Sequence, residues 1–87
     1  MSEEVYLATF KALSDPVRVR IFDMLKSGKR CACKILEEFA ITQPTLSYHM
    51  KLLTDCQLVI AEKCGKWTHY SINWETTKAV TKFFLEI

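Results

Sequence analysis

Two groups of residues in this chain carry side chains whose types and spacing can do chemistry. The first is Cys31-Ala32-Cys33, preceded by Lys29 and Arg30. Two thiols so close in sequence are candidates for holding a soft metal ion and for oxidation, since the thiolate is both ligand and nucleophile. On a regular helix, two positions correspond to about 200° of rotation, so the thiols would face opposite sides. They can share one ion only if Cys31 lies ahead of the helix or the first turn is distorted. The two flanking cations and the helix start are expected to lower the thiol pKa values. Cys56, within TDCQLV, reads instead as a small core residue, and Cys64, beside a turn, as exposed.

The second group lies on the stretch from Thr42 to Leu53. Thr42 suits a helix N-cap and Pro44 the first turn that follows. Leu46, Met50 and Leu53 recur at helical spacing as an apolar stripe. The opposite face carries Gln43, Thr45, Ser47, Tyr48 and Lys51, types that hydrogen-bond phosphates and base edges. No acidic residue falls between Gln43 and Lys51 to repel phosphate. A short helix, a turn and a second helix with this face is the pattern of a helix-turn-helix DNA reader. The competing reading is an ordinary solvated face.

Other elements must position these groups. Val5 to Leu13 reads as a first helix, with Tyr6, Phe10 and Leu13 on one stripe. Ser14-Asp15-Pro16 breaks it and caps a second helix. That helix buries Val17, Ile21, Met24 and Leu25, leaves Arg18, Arg20 and Lys26 outside, and ends at Gly28. A third helix runs from about Ala32 to Phe39. After the reader the period changes from 3.6 to 2: Leu58 to Lys63 and Trp67 to Ile72 flank Gly65-Lys66 as a hairpin with a II′ turn. Lys63 and Lys66 near its tip would lie against phosphates or in the minor groove, as a wing does. Asn73 caps a last helix from Trp74, whose stripe includes Ala79, Val80, Phe83, Phe84 and Ile87. This stripe is expected to pack with the first helix, through Tyr6 and Phe10, across the two-fold axis of a homodimer. Such a dimer suits a palindromic operator.

Composition bounds the rest. With 87 residues the chain is one domain, spanning 1–87. Its apolar fraction of 49% is too high for disorder, and no apolar run approaches the roughly 20 residues that span a membrane. A net charge of +2 does not define a nucleic-acid partner by itself. The acidic start MSEE lacks the basic segment of a secretory leader, so a cytoplasmic setting with reduced thiols is expected. Neither H-x-x-H nor H-E-x-x-H spacing occurs, and no nucleophile–base constellation stands out, so no enzyme is indicated. The expected fold is mainly α with a small β-hairpin, a winged helix-turn-helix in the order α-α-α-α-β-β-α.

The runs ALSDPVRVRIFDMLKSG, CAC, TQPTLSYHMKLLTDCQLV and KCGKWTHYSIN, from about Phe10 to Asn73, resemble the ArsR/SmtB family of metal-responsive winged-helix repressors. The resemblance implies a cytoplasmic homodimer that sits on a double-stranded DNA operator and leaves it when metal binds. It implies that Gln43, Thr45, Ser47, Tyr48, His49 and Lys51 approach DNA. It makes Cys31 and Cys33 thiolate ligands, with As(III) the first candidate and Cd(II), Pb(II) or Zn(II) the alternatives. The chain departs from the family pattern in two ways. The third thiol of three-cysteine members falls on Leu36, so a third ligand would be Cys64, Cys56, a thiol from elsewhere or a solvent ligand. The family's zinc site on the last helix has no counterpart, because Trp74 to Ile87 holds no His or Asp. A thiol-redox-responsive repressor of the same fold and a winged-helix protein-interaction module are the rival functions.

Overall fold

The computed structural model describes residues 2–86; Met1 and Ile87, the latter expected at a dimer interface, lie outside the described residues. The element order is α1 (Glu3–Ala12), α2 (Pro16–Leu25), β1 (Arg30–Cys31), α3 (Ala32–Leu36), α4 (Gln43–Asp55), β2 (Val59–Cys64), β3 (Trp67–Ile72) and α5 (Trp74–Leu85). Three helices start on the side chains that their sequences offer for the purpose. Asp15 accepts from the N–H groups of Val17 and Arg18 at 2.8 and 3.3 Å. The Thr42 hydroxyl accepts from the Thr45 N–H at 3.3 Å, and Asn73 Oδ1 from that of Thr76 at 3.3 Å. Each satisfies donors that a helix start leaves unpaired.

The core gathers Ile21 and Leu25 from α2, Ile35 from α3, Met50 and Leu53 from α4, and Leu58, all essentially inaccessible to solvent. α3 is shorter than its sequence pattern suggests and ends at Leu36, while Phe39 and Ile41 still pack on the core from the turn that follows. The Arg20 guanidinium sits 4.7 Å from the centre of the Phe39 ring and covers that turn. α3, this turn and α4 form the helix-turn-helix.

β2 and β3 make the expected hairpin, with Cys64 opposite Trp67 and Val59 opposite Ile72. Gly65 has φ of 64°, the positive value that the first central position of a II′ turn requires. The expected element order needs one correction. Arg30 and Cys31, just ahead of the third helix, form a strand that the expected order lacks, β1, antiparallel to β3, in a sheet ordered β1-β3-β2. Two residues are too few to show a period, so nothing local announced this strand.

The two end helices meet within the chain. The Tyr6 and Phe83 rings stack at 4.0 Å, and Phe10 lies 5.3 Å from Phe84. α5 therefore docks on α1 of its own chain, with Val80 buried beneath. Periodicity reveals that a helix face is covered, not which molecule covers it. Leu7, Phe84 and Leu85 nevertheless stay exposed at this end, 59%, 57% and 83% accessible.

Candidate thiol site and DNA interface

The outer face of α4 carries Gln43, Thr45, Ser47, Tyr48 and Lys51, all exposed. Lys51 Nζ pairs with Asp55 one turn on, at 2.8 Å. Lys63, at the end of β2, and Lys66, in the turn, are exposed at the wing tip. Donors on a helix face and on a neighbouring hairpin tip are what a duplex groove and its bordering phosphates take.

His49 does not belong to that face. It is buried, and its Nδ1 lies 2.9 Å from Arg18 Nη1. Arginine has only donors, so Nδ1 accepts and the ring proton sits on Nε2. Arg18 was expected outside; it is buried too, and its Nε donates to the Ala12 carbonyl at 2.6 Å. One guanidinium thus ties the end of α1 and the start of α2 to the reader helix. The signal for His49 was present in the sequence: it lies three positions after Leu46 and four before Leu53, on the apolar stripe rather than opposite it.

The thiols meet at the junction of β1 and α3. Cys31 is extended (φ −69°, ψ 144°) and serves as the N-cap of α3, its sulfur accepting from the Cys33 N–H at 3.4 Å. Because Cys31 lies ahead of the helix, both side chains turn to one side, and the two Sγ atoms are 2.6 Å apart. This is the first of the two ways in which the pair can share an ion, and it needs no distortion of α3. The adjacent Cys33 thiol holds Cys31 below the ordinary thiol range, opposed by desolvation and helped by nearby N–H groups and Lys34. The same hydrogen bond pushes Cys33 up. The flanking cations are not the cause, since Lys29 pairs with Glu62 at 3.0 Å and Arg30 reaches Ser27 Oγ at 3.4 Å.

Cys56 and Cys64 stand apart from this pair. Cys56 is buried at the end of α4, its thiol donating to the Leu53 carbonyl at 3.3 Å and pushed up in pKa by burial. Cys64 is exposed at the end of β2, 3.7 Å from a Glu62 oxygen. Neither supplies the third thiolate considered for it, and among the described residues no three His, Cys, Asp or Glu side chains converge as a metal site.

The asymmetry of the pair has a measurable consequence. With Cys64 replaced by Ser, limiting iodoacetamide should alkylate Cys31 first, with a midpoint below the value of about 8.5 for a free thiol. Cys56 should stay unlabelled in the folded protein. Peptide mapping by mass spectrometry across neutral pH reads both; a Cys31 midpoint at or above the free-thiol value would contradict the hydrogen-bonded pair.

A helix-turn-helix followed by a basic hairpin defines the class, a winged helix-turn-helix DNA-binding domain. Residues 15–61 match the bacterial regulatory protein, arsR family. The chain is 47% identical over 75 residues to the arsenical resistance operon repressor of Staphylococcus xylosus, covering 86% of this chain and 72% of that one. It therefore belongs to the ArsR family of transcriptional regulators, which are DNA-binding proteins and not enzymes. Solved structures agree in fold. A crystallised ArsR family transcriptional regulator superposes with a TM-score of 0.90 over 99% of this chain and 89% of its own, at 24% identity. The homodimeric winged helix-turn-helix domain Mb0332 of Mycobacterium bovis gives 0.78 over 98% and 85%, at 22% identity. Among the described residues no helix is long and apolar enough to cross a membrane.

Proposed function

We propose that this chain is a cytoplasmic homodimeric repressor that holds a palindromic operator and releases it when a thiophilic metal(loid), arsenite first, binds Cys31 and Cys33. The observation that carries this reading is the pair of sulfurs 2.6 Å apart at the head of α3. α3 is the first helix of the helix-turn-helix, and its Ile35 sits in one core cluster with Leu46, Met50 and Leu53 of the reader. An ion that spreads or tightens the pair moves the start of α3, and close packing passes that movement to α4. Two thiolates with one soft ligand between them suit arsenite, cadmium and lead, and the relative in Staphylococcus xylosus is named for arsenical resistance. Gln43, Thr45, Ser47, Tyr48 and Lys51 would read the groove, with Lys63 and Lys66 on phosphates. For dimerisation, Leu7, Phe84 and Leu85 are the apolar residues still open beside the Tyr6–Phe83 stack, and the fold relative from Mycobacterium bovis is described as homodimeric.

The close pair favours one second reading, a redox switch. Peroxide would take two electrons from the thiols, leaving a disulfide and water, with no metal involved.

Fluorescence anisotropy on the DNA upstream of its own gene, under strict reduction, separates these readings. Binding should fall with salt at about −0.9 in log K per log salt for each phosphate contacted. Near-stoichiometric arsenite should then release the DNA. Release by diamide but not by arsenite would move the signal to oxidation, and an absence of DNA binding even at low salt would leave a protein-interaction module.

A further inference from the structure

Two thiolates do not complete a divalent ion, which takes four ligands in a closed site. The donor in register with the pair is an imidazole. β1 and β3 run antiparallel with Cys31 directly opposite His69. Residues directly opposite share one face of the sheet, with Cβ atoms about 4.5–5.5 Å apart. On its other side His69 is opposite Glu62 of β2, so one row across the three strands reads Cys31, His69, Glu62. His69 is half-buried. Glu62 already takes the ammonium of Lys29 at 3.0 Å.

We infer that His69 is a third protein ligand for a divalent ion held by Cys31 and Cys33, with Glu62 accepting the other N–H of the imidazole. The inference rests on the reading of Cys31 and Cys33 as the ligand pair. Three donors do not yet converge among the described residues; the site closes when the imidazole turns from the row toward the sulfurs. The backing carboxylate is the usual outer partner of a ligating histidine, fixing its tautomer and orientation. Two thiolates and an imidazole suit cadmium or zinc. The site therefore treats two kinds of signal differently: a divalent ion recruits the wing strand β3, whereas arsenite is held by the pair without it.

The test uses full-length reduced protein with cadmium ion alone as probe, followed by chelator competition and by nitrogen-15 NMR of the two imidazoles. His69→Ala and His69→Gln should each weaken cadmium by about 10–100-fold and leave arsenite affinity unchanged. One equivalent of cadmium should move the imidazole resonance that disappears in the His69→Gln protein, and leave that of His49 in place. Unchanged cadmium affinity in both His69 variants, with the thiolate-to-cadmium absorption band intact, would overturn the inference while the thiol pair stands. Cadmium binding that survives Cys31→Ser with Cys33→Ser at wild-type strength would overturn the pair itself, and this inference with it.

Discussion

With Cys31→Ser and Cys33→Ser together, DNA binding should persist near its wild-type strength while arsenite loses its effect on it. Coupling between two sites typically spans about 5–150-fold, and it is reciprocal, so DNA should also cease to weaken metal binding. In this protein the ratio of operator affinities without and with arsenite should fall to about one. The fold should tolerate the exchange well. Cys31 caps α3 with its sulfur, and serine is among the better residues for that position. Both side chains are only half-buried, so the change leaves no cavity in the core. Anisotropy titrations of the two proteins side by side measure the ratio. Release of the double variant by arsenite would place the ion elsewhere.

Arg18→Ala should have the largest effect on stability of any single change outside the apolar core. It removes the donor of two buried hydrogen bonds, at 2.6 Å to Ala12 and 2.9 Å to His49, and leaves a carbonyl and an imidazole without partners. Each orphaned group costs about 1–3 kcal/mol, giving a loss on the order of 2–6 kcal/mol. A domain of this length holds only about 4–13 kcal/mol in all. At a slope of about 2 kcal/mol per molar urea, the unfolding midpoint should drop by about 1–3 M. Because the link ends on the reader helix, operator affinity should fall with it. A further His49→Leu exchange in the Arg18→Met background should recover much of the stability, since replacing both partners by apolar groups is nearly neutral. An Arg18→Ala midpoint equal to wild type would remove this role.

Much of the frame could be read in the sequence because single residues dictate it. Asp15, Thr42 and Asn73 cap helices by their own side chains, Gly65 takes a turn conformation that other residues resist, and Leu46, Met50 and Leu53 mark a buried stripe. What escaped was decided at long range. β1 exists through its partner strand, so neither the convergence of Cys31 and Cys33 nor the nearness of His69 was visible in the chain order. Arg18 was read by its charge as a surface residue, although a guanidinium with two acceptors is stable inside. His49 was carried onto the DNA face by resemblance, against its own helical spacing. The aromatic stripe of α5 and its partner helix α1 were both legible, but the stacking of Tyr6 on Phe83 within one chain was not.

Pairing between β1 and β3 also sets a timetable for the newly made protein. Synthesis runs from the amino end, so the ribosome releases both cysteines well before the strand that aligns Cys31. Contacts distant in sequence close late, after the local helices have formed. A half-made chain thus carries two ordinary thiols on an unanchored segment, without the wing whose lysines flank the reader. The wing beside the reader and the strand that aligns Cys31 arrive in the same late step, when β3 docks.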